Sequence, residues 1–355
     1  MVNASLARTG PAVLVDGTNL LLRVVHSRFR DNSLLSEREL AESCALIFLK
    51  LLTNEVKKYA ASRLYLFFDS GGSSRKTSIL SSYKTNRKVV ASVSVGIMTP
   101  SYDSSDIFAN LLLLSKELTL SLCRQFNLSI FMEPGIEADD AIGIVVEELA
   151  KLGKQVVVIS NDSDFFQLLV YPSVICYVPY KSSEVTKNNF TQFFSSLSKS
   201  KGITIHPNEY LAYKAIVGDL SDNISGIPRI GYKTLNKKLS AQLESESSEL
   251  VSLYLHDSLE YFKRISDRNT TEFDKLINAN ISLLIRNYSL IDLSSKSVSS
   301  HTCILAIKKL GEVYSKPSKL SLMTSLKPIL SFHWESISPI SFINNTLFSF
   351  SSIYY

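Results

Sequence analysis

Five short apolar runs mark the first half of the chain: AVLVDG (12–17), RLYLFFD (63–69), LSIFME (128–133), QVVVIS (155–160) and VICYVP (174–179). Each has the length of a strand and too few polar residues for one half-exposed face, so each predicts a strand covered on both sides. Helical spacing fills the intervals. Residues 39–59 form one long pattern, and 141–152 form another, with Ile142, Val145, Val146, Leu149 and Leu152 on one face and Gly153 as its stop. Alternating strands and helices predict an α/β fold with a mainly parallel sheet flanked by helices. The stretch from about 73 to 108 breaks this rhythm with the polar, basic SRKTSILSSYKTNRK and reads as an excursion from the sheet. After 205 the pattern turns helical through EYLAYKAIVGD, a GIPRIG turn and YKTLNKKLS, and an exposed loop or boundary is expected at SESSEL near 245.

Composition narrows the class without naming a function. The chain has 355 residues, 45% of them hydrophobic and 20% charged, as in ordinary globular proteins. Its 38 Lys and Arg against 33 Asp and Glu give a formal charge of +5, which permits a polyanionic partner without requiring one. Cys44, Cys123, Cys176 and Cys303 are scattered and form no zinc or disulfide pattern, so buried packing in a reducing, intracellular compartment is expected. No leader is visible in the first ten residues and no apolar run is long enough to span a membrane, so a soluble protein is expected.

Acidic residues recur at one kind of place. Asp16 ends the first strand, Asp69 ends the second, Glu137, Asp139 and Asp140 follow the third, and Asp162 and Asp164 follow the fourth. Each alone reads as a turn or helix cap. In a parallel sheet, however, the carboxyl ends of the strands line one crevice. Carboxylates gathered there repel strongly unless a hard divalent cation with oxygen ligands joins them, and Mg²⁺ is the usual one. Two such ions about 4 Å apart suit phosphoryl chemistry, one activating water and the other steadying the leaving oxygen. Tyr83, Lys84 and Arg87 in the basic excursion are then candidates for phosphate and base contacts. The turn GIPRIGYKTLNKK, with Lys233, Lys237 and Lys238, suits a duplex backbone.

These residues resemble the 5′ nucleases: the 5′→3′ exonuclease domain of bacterial DNA polymerase I, the phage 5′ exonucleases and RNases H, and the flap endonucleases. The resemblance rests on VDGTN (15–19), FFD (67–69), YKTNR (83–87), PGIEADDAIG (134–143), SNDSDFFQLL (160–169) and GDLSDNISGIPRIGYKT (218–234), in the family's order over about residues 12–240. It implies a PIN-like domain over 1–200 with a helical arch at about 73–108, a helix-three-turn-helix DNA-binding subdomain over 201–295, and an extension of unknown role over 296–355. It implies a first metal site from Asp16, Asp69, Glu137, Asp139 and Asp140, and a second from Asp162, Asp164 and Asp222 with Asp219 nearby. Lys84 and Arg87 would face the scissile phosphate, and Tyr83 would stack near the terminal base. Arg75, Lys76, Gly226, Arg229, Gly231, Lys233, Thr234 and Lys237 would contact DNA.

Two departures from the family pattern stand out. Arg75-Lys76 replaces the usual Phe-Arg, and Arg229 replaces the middle glycine of the duplex-gripping turn. The expected activity is an Mg²⁺-dependent (or Mn²⁺-dependent) 5′→3′ exonuclease and flap endonuclease. Its substrates would be 5′ flaps, nicks or RNA primers, and it would act as a monomer without a membrane. The alternative is a noncatalytic DNA-junction-binding protein that keeps the fold, which predicts a lost carboxylate, and none is lost. LIRNYSLIDL (284–293) resembles a stretch found after the turn in some phage enzymes. No clamp-binding peptide is recognised, and the extension is expected to pack on the nuclease body.

Overall fold

The computed structural model describes residues 10–31, 35–85, 102–268, 270–312 and 314–354. Its centre is a six-stranded sheet of β1 (Ala12–Asp16), β2 (Arg63–Phe67), β3 (Ser129–Phe131), β4 (Val156–Ile159), β5 (Val174–Val178) and β6 (Ser183–Thr186), in the order β3-β2-β1-β4-β5-β6. All pairings are parallel except β5 with β6. The five apolar runs are the five parallel strands. The sixth, SEVT, is too polar to be read as a strand and closes one edge.

The first part of the chain supplies α1 (Gly17–Asp31), α2 (Glu37–Tyr59), α3 (Ser74–Ile79), α4 (Tyr102–Gln125), α5 (Ala138–Lys151) and α6 (Phe190–Ser196). The α2 helix opens with a capping box, Ser36 and Glu39 each satisfying the other's backbone N–H. The α5 helix ends where Gly153, at φ +66°, donates its N–H to the Ala150 carbonyl. A 3₁₀ segment, Ser163–Val170, follows β4.

Successive strand residues point to opposite faces, and this splits the core in two. Ala12, Leu14, Tyr65, Phe67, Val156 and Val158 face α5, whose Ile142, Val145, Val146 and Leu149 are buried against them. Val13, Val15, Leu64, Leu66, Val157 and Ile159 face the other way, among α1, α2 and α4.

Beyond the sheet come α7 (Tyr210–Val217), the two-residue hairpin strands β7 (Gly218–Asp219) and β8 (Ile224–Ser225), α8 (Tyr232–Glu244), α9 (Ser248–His256), α10 (Ser258–Arg268) and α11 (Glu272–Ile291). They continue the first core through Tyr210, Tyr213, Leu235, Tyr254, Phe262 and Leu284. SESSEL is the short break between α8 and α9.

The last part forms α12 (Ser300–Lys308), α13 (Lys319–Leu326) and α14 (Pro339–Ser349). Ala306 of α12 joins the first core, while Leu322, Leu326, Leu330, Trp334, Leu347, Phe350 and Tyr354 join the second. The joint is polar as well as apolar. Fully buried Glu42 on α2 accepts from Arg38, Ser331 Oγ and the Phe332 and His333 N–H groups, and Arg38 donates to the Pro328 and Ile329 carbonyls. Burial pushes the Glu42 carboxyl up, but these donors together hold it below the ordinary carboxylate value. All four cysteines are free thiols; Cys44, Cys123 and Cys176 are buried, and Cys303 is half-buried rather than buried as expected. Among the described residues no helix is long and apolar enough to cross a membrane.

Candidate metal centre and nucleic-acid interface

The acids converge at the carboxyl ends of the strands, where the sheet order reverses around β1. Asp16 is the last residue of β1 and is buried. It accepts the Asn19 N–H at 3.0 Å and the Ser160 hydroxyl at 2.9 Å, the latter from the end of β4. Gly17 has to be glycine, because a Cβ there would lie 2.6 Å from the Phe68 ring. Asp69, just past β2, takes the Ala138 N–H at 2.9 Å and so holds the first turn of α5. Asp162 opens the 3₁₀ segment by accepting the Asp164 N–H at 2.9 Å.

None of these three has an ion pair with a Lys or Arg among the described residues. Burial, with Asp69 and Asp162 as like-charged neighbours, pushes Asp16 up to about 7. Asp69 and Asp162 also rise, with burial the leading cause in each.

The acids of α5 are placed differently. Glu137, Asp139 and Asp140 each offer an oxygen within 4.8 Å of the others, a separation one ion can bridge. Yet Lys76, 1% exposed on α3, already sets its ammonium among them, 2.8 Å from Glu137 Oε2, 3.2 Å from Asp139 Oδ2 and 3.2 Å from Asp140 Oδ1. Arg75 adds a bond to Asp140 Oδ1 at 3.0 Å and a second to the Ser289 carbonyl. Lys84 takes Glu137 Oε1 at 2.6 Å, and the Tyr83 hydroxyl donates to Glu137 Oε2 at 3.0 Å and Asp222 Oδ2 at 3.2 Å. Burial works against ionisation of Asp139, but Lys76 and Lys84 hold its carboxyl at about 2. Asp140 rises, burial outweighing the pull of Lys76.

The second set centres on Lys214, buried on α7, which donates to Asp219 Oδ2 at 2.6 Å and also to Asp164 Oδ1. Burial pushes Asp164 up to about 7 despite that contact. Asp219 falls to about 2, because Lys214 and Ser221 overcome its burial. Asp222 ends a 3₁₀ turn beside the β7–β8 hairpin and is buried.

Asp164 and Asp219 are engaged by Lys214, and Glu137, Asp139 and Asp140 by Lys76, Lys84 and Arg75. Arg75, Lys76 and Tyr83, expected on DNA, sit among these acids, and Tyr83 is 5% exposed. Arg87 lies outside the described residues. The donor set is all oxygen and rich in buried charge, which fits a hard divalent cation. The strand-end acids Asp16, Asp69 and Asp162 are the ones without an ion pair among the described residues.

Lys214 went unread in the sequence, although a signal existed. In EYLAYKAIVGD it shares the apolar stripe of Tyr210, Tyr213 and Val217, and a cation on a buried face needs a buried acid.

Arg229 has φ +63°, so the residue standing at the expected glycine adopts a glycine-like backbone at a cost of roughly 1–2 kcal/mol. Gly226 is required by packing, since a Cβ would lie 2.1 Å from the Val217 carbonyl oxygen. Buried Asn287 of α11 ties this hairpin down through the Ala215 carbonyl at 2.8 Å and the Ser225 carbonyl at 2.9 Å. Arg229 and Gly231, just before α8, and Lys233, Thr234 and Lys237 in its first turns are exposed, while Leu235 and Leu239 pack inward.

A family model described as the 5′-3′ exonuclease N-terminal resolvase-like domain matches residues 11–195. A 5′-3′ exonuclease of Buchnera aphidicola is 25% identical over 286 residues, covering 80% of this chain and 86% of that one. DNA polymerase I of Mycobacterium tuberculosis is 27% identical over 79% of this chain and 27% of the polymerase. Among solved structures, the T5 5′-exonuclease with bound zinc has a TM-score of 0.61 at 23% identity, covering 90% of this chain and 98% of that one. The T5 flap endonuclease in complex with DNA and metal ions has a TM-score of 0.58 at 24% identity over the same shares. The mainly parallel sheet, the acid-lined crevice at its carboxyl edge and the family match over half the chain agree: this chain belongs to the 5′-3′ exonuclease family.

Proposed function

We propose that this chain is a divalent-metal-dependent nuclease that hydrolyses phosphodiesters near the 5′ end of DNA or RNA–DNA, with flap endonuclease activity, and that Mg²⁺ is its working ion. The observation that carries this reading is the meeting of Asp16, which is buried, with Asp69 and Asp162, which are half-buried, from three strand ends and without a lysine or arginine ion pair among the described residues. Asp16, Asp69, Asp162 and Asp164 would hold the ions, with Asp139, Asp219 and Asp222 beside them. When bound, they would supply an activated water and charge stabilisation at the scissile phosphate.

The chain's own residues do the rest. Ser160 and the Asn19 N–H fix the Asp16 carboxylate, and the Ala138 N–H fixes that of Asp69. Lys84, held at φ +55° with its ammonium on Glu137, stands at the rim as the cation nearest an incoming phosphate. The exposed row of Arg229, Lys233, Thr234 and Lys237 grips the duplex backbone without reading bases, and the protein acts as a soluble, intracellular monomer.

The test is cleavage of a labelled 5′-flap duplex with Mg²⁺ by wild type, Asp162→Asn and Lys84→Ala. Both substitutions should collapse turnover while duplex binding survives. Wild-type binding without any cleavage would leave a junction-binding protein instead.

A further inference from the structure

The charge at the crevice is unevenly distributed, and Lys76 is the reason. Three carboxylates, Glu137, Asp139 and Asp140, lie close enough together to share one ion. The position between them is taken by an ammonium within 3.2 Å of an oxygen of each. That ammonium is not a surface side chain folded in by chance: Lys76 is 1% exposed, and α3 is pinned by the Ser73 hydroxyl accepting the Lys76 N–H at 3.1 Å. Arg75 and Lys84 complete the neutralisation from either side, on Asp140 and Glu137. With three basic groups on three acids, the corner has little net charge left for a divalent ion. Asp16, Asp69 and Asp162 have no ion pair among the described residues; Lys84 and Lys116 act on Asp69, and Lys214 on Asp162, only from beyond direct contact with the carboxylate.

We propose that Lys76 is the resident cation of the Glu137/Asp139/Asp140 corner, so that divalent ions gather on the strand-end carboxylates and reach this corner only in competition with its ammonium. Asp140, held by both Arg75 and Lys76, is then a positioning residue that orients α3 and not a metal ligand. The inference rests on the metal-dependent reading of the site but is tested apart from it.

The measurement is Mn²⁺ titration of the metal-free protein by calorimetry, with the thermal midpoint followed in parallel. Lys76→Met should bind Mn²⁺ about tenfold tighter or gain a site, because a competing positive charge is gone. Its metal-free midpoint should fall, and Mn²⁺ should raise that midpoint more than it does for wild type. Lys76→Arg, which keeps the charge, should match wild type to within about threefold in affinity. Unchanged or weaker Mn²⁺ binding by Lys76→Met overturns the proposal.

Should Lys76→Met fail to fold even with Mn²⁺, Asp140→Asn decides. It should change Mn²⁺ affinity by less than tenfold, and a larger loss makes Asp140 a ligand and overturns the assignment. A wild type that binds no Mn²⁺ while Lys76→Met does would overturn the metal-dependent function and leave the competition standing.

Discussion

The crevice is lined by two groups of carboxylates that share a solvent-poor setting and differ in company. Asp16, Asp69 and Asp162 come from strand ends and lean on backbone N–H groups and a serine hydroxyl. Glu137, Asp139 and Asp140 come from the start of α5 and lean on Lys76, Lys84 and Arg75. The contrast is sharpest between Asp16 and Asp139, since burial raises Asp140 despite Lys76 and Arg75. Asp16 is pushed up to about 7, and Asp139 is held at about 2. An acid without an ion pair waits for a cation, whereas one with an ammonium against it already has its cation.

The largest test of this difference is turnover. Asp69→Asn should lower flap cleavage by about a thousandfold, the loss of a fixed charge at the reacting centre. Asp140→Asn should lower it by much less, and equal losses would erase the distinction between the two groups.

Stability of the metal-free protein, measured by urea unfolding with chelator present, separates them next. Asp139→Asn takes one of its three carboxylates from Lys76 and should cost about 2 kcal/mol at pH 7, the worth of holding the Asp139 carboxyl near 2 instead of its ordinary value. Asp139 titrates lower in the folded state than in the unfolded one, so its contribution is present above about pH 4 and fades as pH falls toward 2.

Asp16→Asn should do the reverse, raising metal-free stability by about 2 kcal/mol at pH 8. The folded value of Asp16 lies above the unfolded one, so ionisation opposes folding above pH 7 and the penalty disappears as pH drops through 7 toward 4. A stability gain that persists at pH 4 would mean the effect is not electrostatic.

The smallest effect is expected away from both groups. Arg229→Gly removes a non-glycine residue from the left-handed region and should stabilise the fold by about 1 kcal/mol. It should also weaken duplex binding and flatten the salt dependence, by removing one phosphate contact.

Much of this was legible in the sequence, for identifiable reasons. The five parallel strands are uninterrupted apolar runs, and the acids stand one or a few residues past them, so topology alone predicts their meeting. The edge strand Ser183–Thr186 was not legible, because one side of it faces solvent and its residues are polar. The pairing of Lys76 with Glu137 was not legible either, since it joins residues 61 positions apart whose approach depends on how α3 docks. Arg75 and Lys76 read as a basic pair for DNA because sequence shows charge but not burial. Lys214 carried a readable cue, a cation on an apolar helix face. The shape of the Arg229 turn was legible only as a doubt, since an arginine can take a glycine's backbone when the flanking hairpin and Asn287 hold it there. Helices α12 to α14 gave no clear periodicity; α12 is placed by the first core, and α13 and α14 by Glu42 and the second.

That second core also bears on how the protein is made. Leu322, Leu326, Leu330, Trp334, Leu347, Phe350 and Tyr354 join it from the outside, with α13 against α4 and α14 against α2, and the Tyr354 hydroxyl donates to the Phe126 carbonyl. During synthesis, strands β1 to β4 leave the ribosome long before these partners exist. The outer sides of α2 and α4, and the Glu42 carboxylate with them, therefore stay uncovered until these later helices emerge, an interval in which exposed apolar surface favours aggregation.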